Sequence, residues 1–136
     1  MTSIIFKTAS QYLLYITFIF SIWVLFRGHN APGGGFIGGL VSASGFALYL
    51  LANGAESLRK IIKIDLQIVL ALGFSFTLLS GLLALFQNKI FLTSIWIKVR
   101  FFPLQIGSPI LFDVGVYLIV LSSVLTIILL LEESYE

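Results

Sequence analysis

Long apolar stretches separated by short polar ones are the main pattern of this chain. Four stretches are each about 20 residues long, which is the length a helix needs to cross roughly 30 Å of hydrocarbon. They cover residues 8–26, 33–53, 66–87 and 110–131. Backbone groups in lipid must be satisfied internally, and none of the stretches shows the sustained alternation of a porin strand. The sequence therefore predicts an all-α integral membrane protein, a bundle of four transmembrane helices in a single domain over residues 1–136.

The composition agrees with a membrane protein. Hydrophobic residues make up 59% of the 136 residues and charged residues only 10%, whereas a soluble domain carries about 25% charged residues. The formal net charge of +2 is too small to indicate nucleic-acid binding. The absence of cysteine excludes disulfides and thiolate metal sites. The first apolar run is longer than the core of a signal peptide, so we expect it to be a transmembrane helix.

The polar segments between the helices differ in character. The loop of residues 53–65 carries three cations within five positions. The longest loop, residues 89–109, alternates apolar and polar side chains from Ile95 to Phe101, which predicts a short strand at the interface; an irregular re-entrant loop is the alternative. The acidic tail of residues 132–136 is expected to be solvated.

Four crossings place both termini on one side of the membrane. Four cations then lie on each side, so their number does not decide the orientation. The dense cluster in the loop of residues 53–65 favours cytoplasmic termini, because short basic loops carry most weight in the positive-inside rule.

The segment from Arg27 to Gly39 concentrates five of the twelve glycines into seven positions. It matches G-x-G-x-x-G, but a dinucleotide site needs a βαβ unit, which a membrane helix does not provide. Small residues recur at four-residue spacing in the second and third helices, which predicts close helix packing. They are Gly35, Gly39, Ala43 and Ala47, then Gly73, Thr77 and Gly81. Since two helices carry such faces, we expect one of them to pack against other chains.

Two residues of this segment are candidates for special roles. Pro32 is expected in the first turn of the second helix, where its missing N–H costs nothing. The N–H groups of Gly33–Gly35 would then be free to receive an anion or a partner's carboxylate, or simply water. His29, the one histidine, could relay protons or could hydrogen-bond a loop carbonyl.

Asp113 is the one acid predicted inside a hydrophobic segment. Such acids are candidates for function, here an ion or proton path shared with His29. The structural alternative is a cap on its own helix, where negative charge is favourable. An exchanger needs polar groups near the midplane, and these helices offer none that could work alone. We therefore expect the chain to be a scaffold in a larger assembly, without a metal site, cofactor or soluble small-molecule substrate.

The segment from Arg27 to Leu40 closely resembles the signature loop of the B subunit of the multisubunit Na+/H+ antiporter, the Mrp or Mnh family. Residues 107–117 and 56–60 are similar to that family as well. The family pattern falls on Gly28, His29, Pro32, Gly33, Gly34, Gly35, Phe36, Gly38 and Gly39, and on Asp113 and Gly115. Among these, Pro32 and Phe36 are the positions where we expect the loop geometry to matter most.

The resemblance implies a non-catalytic subunit of a cation/proton antiporter, not an enzyme, in the bacterial cell membrane. It implies that the partners are the lipid bilayer and other subunits, including large antiporter-like subunits that conduct protons. The small subunits would be needed for assembly and activity. Two alternatives stay open: the corresponding subunit of a membrane-bound hydrogenase, and a small self-sufficient proton-coupled exporter. The exporter would need a carboxylate inside the first helix, which has none.

Overall fold

The structure, a computed structural model, describes residues 4–27, 34–86, 96–98 and 105–134. The helices in these ranges are α1 (Ile4–Arg27), α2 (Gly35–Asn53), α3 (Ala55–Ile61), α4 (Leu66–Phe86) and α5 (Ser108–Ser134). The strands β1 (Trp96–Lys98) and β2 (Gln105–Gly107) pair antiparallel, with Ile97 opposite Ile106. The predicted all-α membrane fold is confirmed, and the predicted interfacial strand is present as β1.

Three helices are candidate membrane spans, and α4 together with α3 is a possible fourth. Helices α1, α2 and α5 are each long and apolar enough to span a membrane. Helix α4 has 21 residues without a formal charge, a length of about 31 Å at 1.5 Å per residue. It follows α3 after a bend of 55°.

Helix α3 occupies part of the segment that the sequence analysis treated as a loop, so that prediction was wrong. Its first turn carries Glu56 and its last turn carries Arg59 and Lys60, an arrangement that complements the helix dipole. The Lys60 ammonium lies 3.9 Å from the Glu56 carboxylate one turn away. Hydropathy alone does not reveal such a helix, because it is short and polar on one face.

The helices pack in a series. Helix α1 packs on α2, α2 on α5, and α5 on α4. At one end of the α1–α2 pair Asn53 Nδ2 donates to Ser10 Oγ at 3.0 Å. At the other end the Gly34 N–H donates to the Val24 carbonyl at 3.1 Å. These two bonds fix α1 and α2 as antiparallel neighbours.

One cluster of buried hydrophobic residues lies towards the end of the molecule that holds α3. Its members are Leu14, Tyr49, Leu50, Ala55, Leu58 and Leu129. The outer faces of α1 and α4 instead expose large apolar side chains such as Tyr15, Ile19 and Leu78. Such faces suit lipid or the helices of another chain, since contacts within a membrane need no polar cover.

Candidate functional site: a glycine-lined helix junction

The start of α2 is shaped by Gly34, the residue before the helix. Gly34 has φ 110° and ψ −167°, a conformation that residues with a Cβ essentially do not adopt. Helix α2 begins directly after it, at Gly35, and the expectation that Pro32 lies in its first turn stays a prediction. The predicted site residues Gly28, His29, Pro32 and Gly33 lie outside the described residues.

The carboxylate of Asp113 lies next to this helix start. A Cβ added at Gly34 would be 3.9 Å and 4.0 Å from the two carboxylate oxygens of Asp113. Because α5 begins at Ser108, Asp113 lies in the second turn of α5. It is therefore too far along the helix to cap it, contrary to the structural alternative. The positive end of the α2 dipole favours a negative charge at this place. The Gly34 N–H, which the sequence analysis expected to be free for an anion, instead donates to the Val24 carbonyl.

Gly35 and Gly39 allow α2 to approach α5 closely. A Cβ at Gly35 would collide with the carbonyl oxygen of Asp113 and lie 3.0 Å from Val116 Cβ. A Cβ at Gly39 would lie 2.8 Å from Val120 Cβ. The contacts advance in the same direction on both helices, so α2 and α5 run parallel. Small residues one turn apart are the usual device for such close crossings in lipid.

Gly38 brings a third helix into the junction. A Cβ there would lie 2.9 Å from the Ser21 carbonyl oxygen on α1 and 3.2 Å from Tyr117 Cδ2 on α5. The hydroxyls of Ser21 and Tyr117 are buried and 2.7 Å apart. Ser21 Oγ already donates its proton to the Phe18 carbonyl at 2.6 Å. The Tyr117 hydroxyl is therefore the donor to Ser21, and this bond ties α1 to α5 behind Gly38.

The second face of small residues is also used inside the chain. A Cβ at Gly73 of α4 would lie 2.8 Å from the Gly115 carbonyl oxygen of α5. A Cβ at Gly115 would lie 2.7 Å from the Gly73 carbonyl oxygen and 2.6 Å from Thr77 Cγ2. The expectation that one of the two small-residue faces packs against another chain was therefore wrong for these residues. Helix α5 has close neighbours on two sides, which sequence spacing could not reveal.

Gly45 makes a contact that the sequence analysis missed. A Cβ there would collide with Thr17 Oγ1 on α1, and this hydroxyl donates to the Leu13 carbonyl at 2.7 Å. Gly38, Ser42 and Gly45 lie on one face of α2. Their spacing identifies that face but not the helix opposite it.

Phe36 points out of the junction. Its side chain is 60% exposed, and Trp23 and Phe26 at the end of α1 are 52% and 50% exposed. The guanidinium carbon of Arg27 lies 4.9 Å from the Trp23 ring centroid, a cation–π contact. We refer to Trp23, Phe26, Arg27 and Phe36 as the aromatic surface. It lies at the same end of the molecule as Gly34 and Asp113.

At the opposite end, α3 is joined to the end of α5. The Arg59 guanidinium forms a paired salt bridge with Glu133, in which Nη2 lies 3.1 Å from Oε2. The hydrogen bond that Arg59 donates to Glu133 raises the pKa of Arg59, and the carboxylate charge acts in the same direction. The expectation of a merely solvated acidic tail was thus wrong for Glu133.

The chemistry of the junction is that of packing and fixed charge. Within the described ranges no group of three or more His, Cys, Asp or Glu side chains is placed to hold a metal ion. The residues brought together are Gly34, Gly35, Gly38, Gly39 and Asp113, whereas Phe36 faces outward.

Comparison with known proteins places this arrangement in a family. A family model described as a domain related to the MnhB subunit of the Na+/H+ antiporter matches residues 5–126. The chain belongs to the MnhB family. Among its relatives, proteins of Staphylococcus aureus strains Newman and JH1 assigned as antiporter subunit mnhB2 are each 30% identical over 132 residues. The match covers 95% of this MnhB-family chain and 94% of each relative.

The fold also matches a solved MnhB relative. A chain in the structure of the Mrp complex from Dietzia sp. DQ12-45-1b superposes with a TM-score of 0.84 and 31% sequence identity, over 95% of this chain. The match covers only 14% of the solved chain. In that protein, the segment equivalent to this chain is part of a much longer polypeptide.

Proposed function

We propose that this chain is a non-catalytic scaffold subunit of a multisubunit Na+/proton antiporter, needed for the assembly and activity of the complex. The proposal rests on where the glycines of α2 and Asp113 lie in the fold. The glycines of α2 hold α1, α2 and α5 together, and Asp113 lies at the start of α2 rather than in a cavity near the midplane. Such a molecule has the means to present a fixed surface but not to exchange ions alone.

The partners are the other subunits of the complex, including large antiporter-like subunits. The solved relative supports this, because the segment equivalent to this chain makes up 14% of a longer chain there. Two domains that are fused in one protein often correspond to two separate subunits that contact each other in a related complex. The aromatic surface is our candidate for the contact, because aromatic residues and arginine dominate the energetics of interfaces.

We place the chain in the bacterial cell membrane as a multi-pass protein with cytoplasmic termini. The support is the position of Arg59, Lys60 and Lys63 at the end of the molecule that also holds both terminal helix ends. Positive residues in short loops favour the cytoplasmic side.

The proposal is tested by sodium-driven proton exchange in everted membrane vesicles. A strain that lacks this chain should lose antiport and lose the assembled complex on native gels, and the wild-type chain should restore both. The purified chain in proteoliposomes should show no exchange. Exchange by the purified chain would favour the self-sufficient exporter instead, and co-purification with hydrogenase subunits would favour the hydrogenase alternative.

A path for protons or ions through His29 and Asp113 is a separate proposal. Asp113→Asn keeps the shape of the side chain and removes its charge. If Asp113 carries the transported proton, antiport should vanish while the complex stays intact on native gels. If its role is to neutralise the start of α2, activity should fall only together with the amount of complex.

A further inference from the structure

A cavity of about 530 Å³ lies at the bend between α3 and α4. Its charged lining consists of Arg59, Lys63 and Asp65, and Thr126 of α5 forms part of its wall. We refer to this space as the polar chamber. Arg59 is paired with Glu133, whereas Lys63 has no ion pair with another described residue, so its ammonium favours an anion. One Asp65 oxygen, moreover, already accepts the Gln67 N–H at 3.0 Å.

A second cavity of about 340 Å³ lies between α2 and α4, both of which pack on α5. Its walls include Phe46 of α2, Val69 of α4, and Leu121 and Leu125 of α5. The hydroxyl of Ser122 also lines it but donates within its own helix. We refer to this almost entirely apolar space as the apolar chamber.

The two chambers share one wall. The residues that line both are Ile62, Lys63, Ile64 and Leu66. Along α5 the polar chamber reaches Thr126, and the apolar chamber reaches Leu121, which is about 7.5 Å further from the α3 end at the helical rise. Both volumes fall within the range of about 300–1,000 Å³ that is usual for small-molecule sites. The pair has the shape of a site for an amphiphile, with its polar part near the membrane surface and its apolar part below.

We propose that the two chambers bind one anionic phospholipid. The phosphate lies in the polar chamber beside the Lys63 ammonium, which has no ion pair with another described residue. The bridge from Arg59 to Glu133 uses Nε and Nη2, which leaves the N–H groups of Nη1 available as second donors to the phosphate. One acyl chain fills the apolar chamber and closes the space between α2 and α4. Basic pockets between transmembrane helices are suited to anionic headgroups.

The headgroup part is tested with the full-length chain purified in mild detergent. Phosphatidylglycerol or phosphatidylcholine is added, and the bound lipid is counted by native mass spectrometry. One phosphatidylglycerol should stay bound, and phosphatidylcholine should not. Lys63→Ala should weaken the binding of phosphatidylglycerol about five-fold, the effect of one lysine at a membrane surface. Lys60→Ala is the matched control, because Lys60 is exposed nearby but lines neither chamber, and it should leave the binding unchanged.

The acyl-chain part is tested by filling the apolar chamber. Val69→Trp should abolish the binding of phosphatidylglycerol while the helical circular dichroism stays that of the wild type. Leu121→Phe provides a second filling variant with a smaller change in volume, in case the first does not fold. Equal retention of the two lipids, or equal effects of Lys63→Ala and Lys60→Ala, would overturn the proposal. So would a crosslink from position 69 to a partner subunit's helix in the assembled complex.

Discussion

Gly34, Gly35 and Asp113 form a tightly constrained group where α2 begins. Gly34 has a conformation open only to glycine, and Gly35 leaves no room for a Cβ against the Asp113 backbone. The Asp113 carboxylate then lies where the dipole of α2 attracts negative charge. Glycine is thus required for steric reasons at two adjacent positions, and a carboxylate from another helix lies beside them.

Gly35→Ala is expected to lower the free energy of unfolding by about 1–3 kcal/mol, because overpacking forces the backbone of α5 to shift. The thermal unfolding temperature of the detergent-solubilised chain measures this. Leu40→Ala on the exposed side of α2 is the control and should change it much less. An unchanged unfolding temperature in Gly35→Ala would show that α2 and α5 are not in close contact here.

The bond between Ser21 and Tyr117 should couple α1 to α5. A double-mutant cycle with Ser21→Ala and Tyr117→Phe is expected to give a coupling energy of about 0.6 kcal/mol, the average for hydrogen bonds between transmembrane helices. The unfolding free energies of the two single variants and the double variant supply the value. Additive effects would mean that the two hydroxyls do not interact.

At the scale of elements, α5 is the helix that packs against both α2 and α4. It packs on α2 through Gly35 and Gly39 and on α4 through Gly115. Two opposite sides of one helix are therefore closed to other chains along these contacts. The faces left for partners are those of α1 and α4 and the aromatic surface, whose apolar side chains remain exposed.

Gly39→Leu should push α2 away from α5 and prevent formation of the complex. The reason is internal, because the added side chain meets Val120 within the same chain. Native gels of solubilised membranes measure the complex. Ser44→Leu adds the same side chain at an exposed position of α2 and should leave the complex intact; equal loss in both variants would point to a general effect of added bulk.

The bridge between Arg59 and Glu133 should hold α3 against the end of α5. Arg59→Glu is expected to lower the unfolding temperature slightly, and adding Glu133→Arg should restore it. High salt should reduce the difference, since both side chains are accessible to water and exposed ion pairs are screened. No recovery in the charge-swapped double variant would contradict the bridge.

At the scale of the whole molecule, the contacts place both terminal helix ends and α3 on one side of the membrane. Asn53 bonds to Ser10, and Arg59 to Glu133, at that side. With α4 as a fourth crossing, Gly34 at the start of α2 and the strands β1 and β2 lie at the other side. The orientation relative to the cytoplasm remains part of the proposed function.

Cysteine labelling tests this topology directly, because the chain has no cysteine of its own. With a membrane-impermeant reagent, Ser57→Cys and Ser134→Cys should react only in everted vesicles. Lys98→Cys in β1 should react in intact cells. Reaction of all three from one side would contradict four crossings, and reaction of the first two from outside would reverse the proposed orientation.

The sequence by itself determined the class of protein, its long apolar helices, the short strand β1 and its family. These follow from length, hydropathy and local spacing, which act within one segment at a time. It also marked Gly35, Gly39, Gly73 and Asp113 as unusual positions, because glycine and a carboxylate are costly inside a membrane helix unless something compensates.

Only the tertiary structure decided which surfaces these residues face. Gly73 meets Gly115 within the same chain, the Asp113 carboxylate lies near Gly34 at the start of α2, and Glu133 pairs with Arg59. The physical reason is common to all three. A small or charged residue is compensated by whatever lies opposite it, and that partner is distant in sequence and is chosen by the packing of whole helices.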